Sequence, residues 1–153
     1  MSKTNYRIIG DSFFATLQGF KEFESTPRDY GTGDLLYGSE IHTLQMIGRQ
    51  VECNQNDLCR LLEISKSGIS KFVNKLVDKE LVNKKRNEEN RKEVVLTLTE
   101  KGRIAYLAHE EFDKKIFAAF YNILDDCSHS EILFIEDFLL KLRGRIQDLN
   151  SNK

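Results

Sequence analysis

Residues 54–102 read NQNDLCRLLEISKSGISKFVNKLVDKELVNKKRNEENRKEVVLTLTEKG, and the changes of hydrophobic period along them decide the fold. Asn54 is a good helix N-cap, and Asp57 follows three residues on, where a carboxylate favours the positive helix end. The spacing predicts a short helix that buries Leu58, Leu61 and Leu62. Ser65 caps a second one, in which Ile69, Phe72, Val73, Leu76 and Val77 recur at i, i+3, i+4, i+7 and i+8. The period then drops to two. Residues 81–86 and 92–98 read as extended runs around a polar tip, with Val94, Leu96 and Leu98 on one side and Glu93, Val95 and Thr97 on the other.

Two short helices followed by a hairpin is the order of a winged helix-turn-helix, and the flanks are helical. Ile9, Phe13, Leu17 and Phe20 mark a first helix over residues 6–23. Pro27, Gly31, Gly33 and Gly38 punctuate a connection. Ser39 is expected to cap a helix carrying Ile41, Leu44 and Ile47, closed by Gly48, with a short strand at Val51. Thr99 caps a long helix to Leu124 with Ile104, Ala108, Phe112, Ile116, Phe120 and Ile123 inward. Ser128 and Glu131 form a capping box before a last helix with the stripe Ile135, Phe138, Leu142, Ile146 and Leu149. The expected class is mainly α with a small β-hairpin wing.

The chain has 153 residues, 40% hydrophobic and 31% charged, which excludes a disordered chain and suffices for a real core. No apolar run approaches the roughly 20 residues of a spanning helix. Arg7, Asp11 and Gln18 interrupt the N-terminal stretch, so a signal-peptide core is not expected. Three cysteines without a Cys-x-x-Cys spacing give no disulfide framework, and a cytoplasmic protein with reduced thiols is expected. The net charge of −1 hides an asymmetry. Residues 1–64 carry six basic and nine acidic groups, residues 65–92 nine and four, and residues 93–153 eight and eleven. A block of +5 between two of −3 is the footprint expected of a nucleic-acid contact, and on charge alone equally that of a solvated lysine-rich helix face.

Opposite the apolar stripe of the Ser65 helix lie Lys66, Ser67, Ser70, Lys71, Asn74 and Lys75, a row of donors without a carboxylate. Lysines neutralise phosphates, Asn74 can pair with an adenine edge, and Ser65 with the free N–H groups beside it can hold a phosphate. Arg91 and Lys92 at the hairpin tip are placed to reach a minor groove. Cys59 is a small residue where the two helices cross.

Leu58–Ser70, then Asn90-Arg91-Lys92 and Leu96–Gly102, resemble the MarR family of bacterial transcription regulators, with the likeness strongest from Ser39 to Gly102. The resemblance implies double-stranded DNA as partner, a pseudo-palindromic operator and a homodimer. Residues 1–38 and 100–153 would be the helical dimerisation lobe, and 39–99 the DNA-binding lobe. It also implies control by a small ligand, an oxidant or a metal, with a ligand-responsive repressor as the first reading. A metal-responsive regulator and a protein-binding winged helix are the alternatives. The chain departs from the family pattern in three ways. Asn90 and Lys92 stand where Asp and Arg are usual, so Arg91 is the preferred minor-groove residue. Glu63 stands at a turn position often held by Gly, a costlier choice if its φ is positive. Glu88 and Glu89 must point away from phosphates.

The zinc-responsive branch of that family suggests Glu24, His42 and His109, with Asp113 in place of a His. The plainer reading, partly exposed polar side chains and no metal, is preferred. Tyr30, Tyr37, Phe13, Phe14 and Phe20 would suit an aromatic effector, but such stripes are more often core. Cys53, Cys59 and Cys127 read as structural, not redox-sensing. No residue grouping has nucleophile spacing and no glycine loop follows a strand, so no enzyme and no cofactor is expected.

Overall fold

The computed structural model describes residues 3–50, 53–86 and 94–151. The elements run α1 (Lys3–Ser25), β1 (Arg28–Asp29), β2 (Leu35–Leu36), α2 (Gly38–Arg49), β3 (Cys53–Asn54), α3 (Gln55–Leu62), α4 (Lys66–Asp78), β4 (Val82–Arg86), β5 (Val94–Leu98), α5 (Glu100–Asp125) and α6 (His129–Ser151). Two compact units divide within α5, residues 1–111 and 112–153.

The first unit holds the helix, turn, helix and hairpin. Its core is Ile41, Leu44 and Ile47 of α2, Leu58 of α3, Ile69, Val73 and Leu76 of α4, and Leu81, Val82 and Leu96 of the sheet. The sheet is antiparallel in the order β3-β5-β4, with Cys53 opposite Leu96 and Val82 opposite Leu98. The strand expected at Val51 is found at Cys53–Asn54; Val51 itself lies outside the described residues. A smaller ladder pairs Arg28 with Leu36 and Asp29 with Leu35.

The helix ends follow local chemistry. The Asn54 side chain accepts from the N–H groups of Asn56 and Asp57 at 2.8 and 2.9 Å, and Asp57 accepts from Asn54 N–H at 3.3 Å. Ser65 Oγ accepts from Gly68 N–H at 3.3 Å, Thr99 Oγ1 from Gly102 N–H at 2.9 Å, and Ser128 exchanges hydrogen bonds with Glu131. α2 departs from expectation at both ends. It starts at Gly38 after Tyr37, not at a Ser39 cap, because Glu40 reaches back to the Tyr37 N–H at 3.4 Å. Gly48 lies inside the helix: a Cβ there would run into the Tyr106 ring, so packing rather than termination requires the glycine.

Two other expectations are corrected by burial. Leu61 is exposed, because eight-residue α3 seats Leu58 alone at full depth. In α5 the buried residues are Gly102, Ala105 and His109, whereas Ile104, Ile116, Phe120 and Ile123 are exposed. In the second unit no residue of α6 is buried.

Glu63 ends α3 in the left-handed region, φ 54° and ψ 34°. A side chain there is strained by about 1 kcal/mol relative to glycine. Glu63→Gly should therefore raise stability by about 0.5–1 kcal/mol, read as a higher melting temperature; a lower one would show that the Glu side chain offsets its own strain.

Candidate nucleic-acid interface

α4 is anchored by one stripe. Ile69, Val73 and Leu76 are fully buried against α2, α3 and the sheet, with Phe72 and Val77 half-buried beside them. The opposite side is open: Ser65, Lys66, Ser67, Lys71 and Asn74 are exposed, and Ser70 is half-buried. No acid occupies the first turn, and Ser65 Oγ and Ser67 Oγ lie 3.2 Å apart at the helix start. Lys66 and Lys71 form no ion pair among the described residues. The side carries donors and positive charge, the complement of a phosphate backbone.

Beside it runs the stem of the hairpin. Lys84, Lys85 and Arg86 of β4 are exposed, and Lys84 Nζ donates to Asn74 Oδ1 at 2.6 Å. That bond occupies the acceptor of Asn74 and leaves its amide N–H groups as donors. Arg91 and Lys92, the expected minor-groove residues, lie outside the described residues, as do Glu88, Glu89 and Asn90.

Lys75 differs from the rest of its row. Its Nζ donates to Glu40 Oε1 at 2.7 Å and stands 5.7 Å from the centre of the Tyr37 ring. Lys79 Nζ donates to Glu40 Oε2 at 2.7 Å and to the Leu35 carbonyl at 2.8 Å. Glu40 is 1% exposed. Burial pushes its carboxyl pKa up, but the hydrogen bonds from Lys75 and Lys79, the Lys79 charge and the Tyr37 N–H together hold it below its ordinary 4.5. Charge reading along α4 misses this triad because its acid is on another helix. The available signal was an acid at residue 40 in register with Leu44 and Ile47, on the face of α2 that turns inward.

The candidate metal residues are partly assembled. His42 Nε2 lies 3.2 Å from Glu24 Oε2. The His42 and His109 rings meet edge-on at 5.3 Å, and Tyr30 meets His109 at the same distance. His109 is 2% exposed, a core histidine instead of the partly exposed one expected. Asp113 belongs to the second unit. Among the described residues no three His, Cys, Asp or Glu side chains are grouped to hold a metal ion.

The aromatic candidates serve packing or are exposed. Tyr30 is buried, Phe13 is half-buried, Phe14 and Phe20 are exposed along α1, and Tyr37 lies beside Lys75. Burial, with the Asp57 charge, pushes the Cys53 thiol to about 11, so it stays protonated at neutral pH. Cys59 and Cys127 are half-buried.

Three comparisons place these observations among known proteins. The model for the MarR family matches residues 36–94. The HTH-type transcriptional regulator PchR of Bacillus subtilis is 33% identical over 109 residues, 71% of this chain and 64% of PchR. The chain thus spans somewhat under two thirds of the length of the curated relatives it matches. FabT of Streptococcus pneumoniae, solved in complex with DNA, is 24% identical over 94% of this chain and 99% of FabT, with a TM-score of 0.72. ZitR of Lactococcus lactis, a zinc-responsive MarR family member, is 20% identical over 92% of this chain and 99% of ZitR, with a TM-score of 0.77. No helix is long and apolar enough to cross a membrane among the described residues.

A carboxyl held below its unfolded value stabilises the fold above that value and loses its contribution as pH falls through the folded one. Glu40 should therefore make unfolding easier as pH drops below about 4.5. In urea melts from pH 6 to pH 3, Glu40→Gln should lose stability less steeply than the parent. Identical pH slopes would assign the acid sensitivity to other carboxylates.

Proposed function

We propose that the chain, whose residues 36–94 match the MarR family model, is a DNA-binding transcriptional regulator of that family acting as a homodimer on a pseudo-palindromic operator. The observation that carries this reading is the open side of α4, with Ser65, Lys66, Ser67, Ser70, Lys71 and Asn74 opposite a fully buried apolar stripe. α4 enters the major groove. Arg91 and Lys92 take the adjacent minor groove. Two copies present their α4 helices about one helical turn apart, ~34 Å. FabT, solved with DNA, shares this fold, and PchR is itself named a regulator.

The homodimer is supported by apolar side chains the single chain leaves in water. Phe134, Phe138, Leu140 and Leu149 of α6 and Ile8, Phe14 and Phe20 of α1 are all exposed. Helices so rich in exposed large apolar groups, one in each unit, are normally covered by a partner. A ligand that alters the spacing of the two α4 helices would release or tighten the operator without touching DNA, and repression with release is the form we favour.

Lys66→Ala and Lys71→Ala should each lower the log–log salt slope of duplex binding by about 0.9 per subunit. Unchanged slopes would remove those contacts. Indifference of the parent protein to unrelated duplex DNA at low salt would instead favour a protein-binding winged helix.

A zinc-responsive regulator, as ZitR is, remains the second reading because Glu24 and His42 are in contact. It is the weaker one, since no third ligand joins them among the described residues. Adding zinc should leave operator affinity unchanged; a shift that His42→Ala abolishes would establish the metal reading in its place.

A further inference from the structure

Glu40 is a carboxylate where the pattern of α2 calls for an apolar side chain. It is in register with Leu44 and Ile47, both buried, and is itself 1% exposed. Its oxygens are used separately, Oε1 by Lys75 and Oε2 by Lys79, each at 2.7 Å. The two lysines are four residues apart at the C-terminal end of α4, so one carboxylate holds both to α2. An ionised group buried this deeply is costly unless paired, and replacing such a pair by apolar groups is often neutral for stability. In some proteins what the pair supplies instead is one fixed geometry.

We propose that Glu40 is a positioning and charge-setting residue for the DNA-facing helix: it pins the C-terminal end of α4 to α2 and withholds Lys75 and Lys79 from phosphates. The inference rests on the DNA-binding reading above.

The partners of the two lysines bear this out. Lys79 also donates to the Leu35 carbonyl, and Lys75 stands beside the Tyr37 ring, so both are held from more than one side. Lys66 and Lys71 are exposed and without ion pairs among the described residues. The usable positive charge of α4 is thereby shifted to its N-terminal half, where the unpaired N–H groups and the helix dipole also favour an anion. Free lysines at the other end would strengthen contact with any duplex alike, since phosphate contacts carry no sequence information. Glu40 thus lowers indiscriminate affinity while fixing the orientation of the reading helix.

Four proteins test this on a mixed-sequence duplex: the parent, Lys71→Gln, Lys75→Gln and Glu40→Gln, each with a thermal melt and a salt series of binding constants. Lys71→Gln is expected to lower the log–log slope by about 0.9 per subunit, and Lys75→Gln by less than about 0.3. Glu40→Gln should steepen the slope by about 0.9 per subunit and tighten binding roughly fivefold at low salt. Lys75→Gln losing as much slope as Lys71→Gln overturns the proposal, whether or not Glu40→Gln folds. So does a Glu40→Gln protein with a lowered melting temperature and the parent's slope, which is what a purely structural acid would give. A parent protein with no salt-dependent affinity for duplex DNA would take the DNA reading down as well. That failure is distinguishable, because Lys71→Gln would then also be without effect.

Discussion

Everything about the candidate interface depends on α4 having one side fully buried. Ile69, Val73 and Leu76 are each 0% exposed. Burial of three such side chains stabilises by about 5–9 kcal/mol in all, comparable to the whole net stability of a domain. The cap at Ser65 contributes about 1 kcal/mol by comparison. Packing therefore decides how α4 is rotated, and the donors opposite the stripe face outward as a consequence. No local preference of Lys66 or Lys71 is needed to put them in water.

The hairpin is tied to that helix by backbone as much as by side chains. Leu81 donates its N–H to the Leu76 carbonyl and accepts from Thr99 N–H, joining α4, β4 and the start of α5 in one corner. Gly102 lies against the Leu81 carbonyl so closely that a Cβ would collide with it. Thr99 closes the same corner by donating its hydroxyl to the Glu80 carbonyl at 2.7 Å, and Glu80 itself is left-handed at φ 59°. With Lys84 bonded to Asn74 further out, helix and strand are held at two levels. The stem of the hairpin, Val82–Arg86, is thereby fixed relative to α4.

How much of this could be read from the chain alone follows from the range of the forces involved. Caps at Asn54, Ser65, Thr99 and Ser128 are local chemistry, and each was legible at its own position. The change from helical to twofold period located the hairpin for the same reason. Tyr37 as the N-cap of α2 was not legible, because it depends on how Glu40 is held from α4. Gly48 reads as a stop signal in a single sequence, yet it answers to Tyr106, nearly sixty positions away. The Glu40 triad and the burial of His109 likewise join distant segments. A donor row on one helix could be predicted; which of its members another helix had already engaged could not.

Net charge and apolar exposure are both misleading when averaged over this chain. The overall −1 conceals a basic segment whose usable part is smaller still, since two of its lysines are engaged from within by one carboxylate. On α5, the stripe expected inward is exposed, while the buried residues are Gly102, Ala105 and His109. At 3.6 residues per turn Gly102, Ala105 and His109 share one side of α5 with Ile116, Phe120 and Ile123, so a single stripe is buried in the first unit and exposed in the second. Ile116, Phe120 and Ile123 are large apolar groups left in water, side chains of the kind that the proposed homodimer would cover. The amphipathic pattern is thus kept along α5, and what changes along the helix is whether the described chain covers it.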